Sequence, residues 1–165
     1  MEPRASTPAR RLDAIRLLAE AGVPTGVMVA PIVPGLTDHE LENILTAAAD
    51  AGAVRAGYLV MRLPHEIKDL FREWLEENAP ERASRIMSQI HQLRGGRDND
   101  PRFFTRLTGE GENARLLAQR VDIARRKLGL NAQQFTLDAN QLQPRYPPGH
   151  HHPLATNKQN PPRAS

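Results

Sequence analysis

The sequence predicts an α/β protein organised around a parallel sheet. Residues 22–35 (GVPTGVMVAPIVPG) form a short run rich in Val and Ile, with Gly and Pro at both ends. Such a run favours a strand over a buried helix, although periodicity alone does not separate the two. Because the run is apolar on both faces, we expect both faces of the strand to be covered, as in parallel sheets.

A helix is predicted directly after this strand. Residues 37–40 (TDHE) have the form of a capping box, in which the Thr37 hydroxyl accepts from the Glu40 amide and the Glu40 carboxylate reaches back. The helix ends at Gly52, where a left-handed residue is expected. Its apolar stripe consists of Leu41, Ile44, Leu45 and Ala48. A second strand follows at residues 56–63.

The two helix and strand pairs resemble each other in sequence. AEAG at 19–22 matches ADAG at 49–52, and Pro34 matches Pro64, so both matches lie thirty residues apart. Repeats of that length occur in βα barrels and doubly wound sheets. The alternative is a chance similarity between two amphipathic helices that both end in Gly.

The first helix is marked by Thr7 as its N-cap and Pro8 as its first residue, with Gly22 at its end. Its predicted buried side consists of Leu12, Ile15 and Ala19. No strand precedes this helix. Two parallel strands cannot close a barrel, and each leaves one edge of backbone groups unpaired. Other elements therefore cover these edges, or the chain is part of a larger protein.

The pattern after Pro64 is helical. An amphipathic stripe is formed by Ile67, Leu70, Phe71, Trp74 and Leu75, and Trp74 is expected in the core. Asn78 and Pro80 separate this helix from the next. The next helix is expected to bury Ala83, Ile86, Ile90 and Leu93.

The stretch 94–112 is glycine-rich and charged, and it contains Phe103 and Phe104. It is either a lid over a site or a connector between helices. A last helix at about 112–128 is expected to end at Gly129. That helix places Leu117, Val121, Ala124 and Leu128 on one side.

Composition excludes several classes of site. The chain has no cysteine, and therefore no disulfide, thiolate metal site or cysteine nucleophile. It has no apolar run of about 18 residues, and its first residues lack the apolar core of a signal peptide. These features predict a cytoplasmic protein without membrane contact. The tail at 138–165 is rich in Pro, Asn, Gln and His, and we expect it to be disordered, with His150, His151 and His152 binding metal only adventitiously.

The net charge of +3 is a weak argument for nucleic acid. Basic residues do cluster at 10–11, 94–106 and 125–127, where they could neutralise phosphates. No aromatic side chains interleave these clusters to stack on bases, and solvated helix faces are therefore the favoured interpretation.

Several segments resemble the C-terminal half of radical SAM proteins related to spore photoproduct lyase. They are residues 1–40, AGYLVMRLPHEI at 56–67, RGGRDND at 94–100 and RLTGEG at 106–111. The PGLTDHE turn is common among radical SAM enzymes and moderately specific. Its conjunction with MEPR, RLPHE and RGG is much more specific. The resemblance covers about residues 2–130.

The resemblance implies an α/β fold with the C-terminal βα units of a partial TIM-type (β/α)6 barrel. In that family a 4Fe-4S cluster binds S-adenosylmethionine and cleaves it reductively, and the resulting 5′-deoxyadenosyl radical abstracts hydrogen from a substrate. Residues 1–78 would be a partial barrel half, residues 79–137 a helical extension that includes the 94–112 loop, and residues 138–165 the tail.

The resemblance also assigns cofactor contacts. Glu2 and Arg4 would lie against the amino-acid part of S-adenosylmethionine, where a carboxylate can accept from an ammonium and a guanidinium can grip a carboxylate. Near the adenine it places Ala30, Pro31, Ile32, Pro34 and Gly35. The alternative for Glu2 and Arg4 is an ion pair at the start of a helix.

On the substrate side the resemblance places Arg62 and His65. Both could equally be a pair at the rim of the barrel, and His65 could be only a loop residue.

The sequence departs from the family in one decisive respect. The CxxxCxxC motif that holds the cluster lies upstream in the family, and this sequence has no cysteine to replace it. We therefore expect an N-terminally truncated piece, inactive alone, whose missing N-terminal barrel half comes from the same gene or from a separate chain. The substrate is not predicted. Two alternatives are a non-catalytic binding module that pairs its sheet edge with a partner, and a basic module that contacts DNA.

Overall fold

The computed structural model describes residues 5–93 and 105–133, and most of them are helical. In chain order, the elements are α1 (Pro8–Glu20), β1 (Gly26–Ile32), a 3-10 turn (Asp38–Glu40), α2 (Leu41–Asp50), β2 (Arg55–Val60), α3 (His65–Asn78), α4 (Pro80–Gln92), α5 (Thr105–Thr108) and α6 (Gly111–Lys127). No helix in these ranges is both long enough and apolar enough to cross a bilayer.

The two strands form a parallel pair that is joined through α2. The register places Val27 opposite Ala56 and Val29 opposite Tyr58, and the ladder becomes irregular between Val29 and Ile32. The face that carries Val29 and Ile32 packs against α2 and α6. On the opposite face Met28 is 59% exposed. The prediction that both faces are covered is therefore wrong for β1.

The prediction of a partial (β/α)6 barrel is also wrong. After β2 the chain continues as α3 and α4 with no strand between them, and the sheet in the described residues has two strands. Barrel strands continue the hydrogen-bond ladder on both sides. At the outer edge of β2, however, the Ala56 amide donates to Asn131 Oδ1 (2.9 Å), and the Ala56 carbonyl accepts from Asn131 Nδ2 (3.1 Å) and Arg125 Nη2 (2.6 Å). Side chains occupy the positions that a third strand would need.

Two hydrophobic clusters hold the structure together. The first joins the buried face of the sheet to α2 and α6. The second joins α3 and α4 to Val33 and Leu63, the residues that follow the two strands. The predicted inward side of α4 is confirmed, since Ala83, Ile86, Ile90 and Leu93 are all buried. On α6 the residues Leu117, Val121 and Ala124 are buried as expected, whereas Leu128 is half-buried.

The stripe predicted on α3 is only partly buried. Phe71 and Leu75 lie in the second cluster, and Trp74 is half-buried with its ring stacked on Phe71 at a centroid distance of 6.1 Å. Ile67 and Leu70 are 48% and 65% exposed. The predicted stripe is therefore buried only at Phe71 and Leu75, and Trp74, which was expected in the core, packs against the second cluster while partly exposed.

The local signals at both ends of α1 and after α2 and α6 are confirmed. Thr7 Oγ1 accepts from the Arg10 amide at 3.4 Å, and Pro8 is the first residue of α1. Gly22, Gly52 and Gly129 all have positive φ after helices, as the sequence predicts. The predicted buried side of α1 is only half-buried. The predictions for Glu2, Arg4, Phe103, Phe104 and the 138–165 tail concern residues outside those that the structure describes.

Candidate functional site

The turn that follows β1 is held by its own side chains. The Val33 amide donates to Thr37 Oγ1 at 2.9 Å, and the Gly35 amide donates to Asp38 Oδ1 at 2.8 Å. Thr37 makes no helix-capping bond, so the predicted capping box with Glu40 is wrong. The hydroxyl of Thr37 is directed back to the turn because the chain enters a 3-10 turn before α2 begins. The amides of Val33 and Gly35 are thus already bonded within the chain.

An arginine from α6 fixes this turn to the start of α2. Arg120 Nε and Nη2 donate to the two carboxylate oxygens of Glu42, both at 2.8 Å. Arg120 Nη2 also donates to the Asp38 carbonyl at 2.7 Å. The side-chain hydrogen bond from Arg120 lowers the pKa of Glu42 below its ordinary value of 4.5, and the same bond raises the pKa of Arg120. Sequence reasoning missed Arg120, because no local pattern relates it to residues about eighty positions away.

A groove runs along the outer edge of β1, between α1 and α2. Its volume is about 580 Å³, which lies within the range of small-molecule sites. The walls are mostly apolar and come from both helices and the strand. They include Leu12 and Ile15 from α1, Ile44 and Ala47 from α2, and residues 27–31 from β1. Polar groups at the groove are Arg11, Thr37, Glu40 and Asn43.

The backbone of β1 supplies hydrogen-bonding groups to this groove. Of two residues that face each other in a parallel ladder, one makes both inter-strand bonds. Ala56 directs its amide and carbonyl to Asn131, so its partner Val27 makes the bonds to β2. Alternate residues point to opposite edges, and the backbone groups of Met28, which lies between the paired residues Val27 and Val29, therefore face outward. A ligand here would meet apolar walls and a polar backbone edge together.

The structure divides the residues that the resemblance assigned to the adenine. Ala30 and Pro31 are exposed and line the groove. Ile32 lies in the core at 1% exposure, and its carbonyl accepts from the Met61 amide at 2.8 Å. Pro34 and Gly35 are half-buried, away from the groove: Pro34 borders a cavity between α4 and α6, and Gly35 lies next to Gln89 of α4.

The two residues assigned to the substrate lie after β2. Arg62 is exposed, and His65 begins α3. The chain offers no ligand set for a 4Fe-4S cluster, since the sequence has no cysteine and the described residues contain no cluster of three His, Asp or Glu side chains suited to a metal. The residues present therefore do not fit the cluster.

No protein-family model and no solved structure matches the chain. The chain is 36% identical over 87 residues to the uncharacterized protein Rv2578c of Mycobacterium tuberculosis and to the uncharacterized protein Mb2609c of Mycobacterium bovis. The match covers 52% of this chain and 26% of each relative. The chain thus spans about a quarter of the length of these curated relatives.

We expect the pair between Arg120 and Glu42 to make stability depend on pH. The lowered pKa of Glu42 means that the pair stabilises the fold above pH 4.5 and that this contribution is lost as pH falls through the folded-state pKa. Arg120→Met should reduce the free energy of unfolding at pH 7 by about 0.2–1 kcal/mol, the range for exposed pairs. The measurement is urea unfolding of both proteins at pH 7 and at pH 3, in low salt.

The control for this prediction is Arg115→Met, also on α6. Arg115 pairs with Glu112 at 2.6 Å, but both side chains are 64% exposed, and its loss should change stability less. A difference between wild type and Arg120→Met that is as large at pH 3 as at pH 7 would contradict the assignment.

Gly35 should tolerate a side chain less well than Gly22, although both have a φ of +73°. A Cβ at Gly22 meets no atom within 4 Å, whereas a Cβ at Gly35 lies 2.6 Å from Gln89 Oε1. Gly22→Ala should cost about 1–2 kcal/mol for the left-handed backbone, and Gly35→Ala should cost slightly more, because the end of the Gln89 side chain must move away. Urea unfolding midpoints measure both effects.

Gln89→Ala tests whether the contact with Gln89 causes the larger loss of stability expected for Gly35→Ala. The extra loss should disappear when Gly35→Ala is made in the Gln89→Ala background, because the clashing oxygen is then absent. Equal losses for Gly22→Ala and Gly35→Ala would show that contact with α4 does not constrain this turn.

Proposed function

We propose that this chain is a part of a radical SAM enzyme and contributes a surface that binds the adenosyl portion of S-adenosylmethionine. The chain has no ligands for the 4Fe-4S cluster, so a different polypeptide segment must hold it, and no chemical step is assigned to the residues here. The proposal places the protein in the cytoplasm and leaves its substrate open.

The observation that carries the proposal is the position of Ala30 and Pro31. They belong to the motif set that resembles radical SAM proteins, and they line a groove of suitable volume at the edge of β1. Adenine presents flat apolar faces and a hydrogen-bonding edge. The apolar walls and the outward backbone groups of Met28 complement both features.

The length of the relatives is consistent with a chain that forms part of a larger protein. This chain matches only 26% of each relative, and a longer polypeptide has room for the cysteines that are absent here.

Contact with nucleic acid is not proposed. In the 125–127 cluster, Arg125 is directed to the Ala56 carbonyl and Arg126 to the Asp122 carbonyl.

Saturation-transfer NMR with S-adenosylmethionine tests the groove, since the method detects weak binding. The adenine protons should receive saturation from the wild-type chain. Ala30→Trp fills the groove from an exposed position and should weaken binding by about tenfold, which corresponds to roughly 1.4 kcal/mol. Ile123→Trp is the control, because Ile123 is 50% exposed and lies on α6 outside the groove.

Two results would overturn the proposal. The first is an adenine signal no stronger than that of guanosine at the same concentration. The second is equal binding by the wild type and Ala30→Trp, provided that circular dichroism shows both to be folded.

A second candidate is a non-catalytic module that binds another polypeptide by strand addition. The outer edge of β1 favours it, because within the described residues no strand lies beside that edge and the apolar groove flanks it. The occupant would be an extended segment that corresponds to the portion of the longer relatives outside the match. Main-chain hydrogen bonds would supply the affinity.

Met28→Pro tests strand addition, because proline removes the outward amide at this position without removing a bond to β2. Met28→Val is the control and keeps the amide. The probe is a tagged form of the Mycobacterium tuberculosis relative that lacks the matched residues. Wild type and Met28→Val should co-purify with it, whereas Met28→Pro should not. Equal recovery of all three, or recovery of none, would exclude this candidate.

A further inference from the structure

We infer that the exposed side of α3 is a docking surface for a basic amphipathic helix of another polypeptide. Ile67, Leu70 and Trp74 form an apolar row at i, i+3 and i+7 of α3, and Glu73 and Glu77 lie beside it. These five residues define the α3 surface. None of them lines the groove at β1, so this inference goes beyond the proposed function and does not depend on it.

The rest of the described chain leaves the apolar row of the α3 surface partly uncovered. Ile67 and Leu70 are 48% and 65% exposed, and Trp74 is half-buried. The Trp74 ring is held in place by stacking on Phe71, which belongs to the second hydrophobic cluster. A single exposed leucine is ordinary on a protein surface. Three large apolar side chains in one row, with a tryptophan fixed among them, are typical of the anchors of an interface.

The helix α3 is an acidic part of a basic chain. Its 14 residues contain five carboxylates and two cations, a net charge of −3 with histidine neutral, whereas the whole chain carries +3. Arg72 lies three residues after Asp69 and four before Glu76, close enough on the helix surface to compensate both. The other cation, Lys68, has an interaction of its own within the chain. The excess negative charge therefore lies elsewhere on the helix.

Glu73 and Glu77 carry uncompensated charge beside the apolar row. Both are exposed, and no residue of α3 three or four positions from either of them is a cation. Among the described residues, neither forms an ion pair. Like charges at i and i+4 destabilise a helix, and carboxylates in its last turn oppose its dipole. A cation bound here would offset both costs.

A basic amphipathic helix matches both parts of the α3 surface. Apolar residues that alternate at spacings of three and four form the seam along which two helices pack, and charges beside the seam select the partner. In heptad terms, Ile67 and Trp74 occupy a positions and Leu70 the d position between them. Glu73 occupies a flanking g position, and Glu77 ends the row at the next d position. A partner helix with lysine or arginine beside its own seam would meet these carboxylates, whereas a nucleic acid or an anionic membrane would be repelled.

The test is a titration of the full chain with two synthetic helical peptides. Both have leucine at a and d, but one has lysine at e and g and the other has glutamate there. Trp74 is the only tryptophan of the chain, so its emission reports on the α3 surface directly. The lysine peptide should shift this emission to shorter wavelength and saturate at physiological ionic strength, because the indole becomes buried. The glutamate peptide should cause no saturable shift.

Leu70→Ala tests the apolar row. It should weaken binding of the lysine peptide by about tenfold, as expected when an interface anchor is truncated. Ile123→Ala is its control, because Ile123 is 50% exposed on α6 and lies outside the α3 surface. The control should bind the lysine peptide as the wild type does.

Charge reversal tests the carboxylates of the α3 surface. The double variant Glu73→Lys with Glu77→Lys should prefer the glutamate peptide, because the charges beside the row are then positive. The matched control is Asp69→Lys with Glu76→Lys. It makes the same change of charge on the same helix, but on the side away from the apolar row. The control should keep the preference for the lysine peptide.

Four results would overturn the inference. One is the absence of a saturable shift with the lysine peptide, and another is equal binding of both peptides by the wild type. A third is an equal effect of the two charge reversals. The fourth is self-association of the wild type, measured by sedimentation, that Leu70→Ala abolishes, because the occupant would then be a second copy of this chain. Circular dichroism of the variants separates loss of binding from loss of folding.

Discussion

A sheet of two parallel strands cannot satisfy its own outer edges, and much of this structure follows from that constraint. The chain closes the edge of β2 with side chains, as Asn131 bonds to both the amide and the carbonyl of Ala56 and Arg125 adds a third bond. The outer edge of β1 has different surroundings. It opens into a groove between α1 and α2, and this asymmetry separates a structural side of the sheet from a side available to ligands or partners.

The position of α3 and α4 determines where ligands can reach the sheet. In parallel α/β sheets, ligands commonly bind beyond the carboxyl ends of the strands. Here the residues that follow the strands, Val33 and Leu63, are buried against α3 and α4. The groove at Ala30 and Pro31 lies instead beside the strands, at the outer edge of β1. The turn after β1 is rigid, because Thr37, Asp38 and Arg120 restrain it.

The proposal that the chain is part of a larger protein is consistent with the length of the relatives and with the composition of the chain. The match covers 26% of two longer mycobacterial proteins, and the absence of cysteine removes any thiolate ligand for iron. A binding surface for a cofactor and an edge for strand addition are both functions that such a part could perform without carrying the reactive centre. Both use the outer edge of β1, and their probes, S-adenosylmethionine and the tagged relative, distinguish them.

Sequence by itself determined the features that depend on neighbouring residues. Thr7 and Pro8 begin α1, Gly22 and Gly52 end helices, and the apolar spacing of α4 identifies its buried side, because each involves interactions within one or two turns of the chain. Such signals also located both strands. They could not decide how many strands the sheet contains or which of its faces is covered.

Only the tertiary structure decided the features that join distant residues. Arg120 meets Glu42 across 78 positions, and Asn131 meets Ala56 across 75. Neither contact has a local signature, and the second closes the edge on which a barrel would have continued. The exposure of Ile67 and Leu70 and the direction of the Thr37 hydroxyl likewise depend on what packs nearby. Ala30 and Pro31 stay predicted cofactor contacts, and the groove that they line exists only once α1 and α2 are packed beside β1.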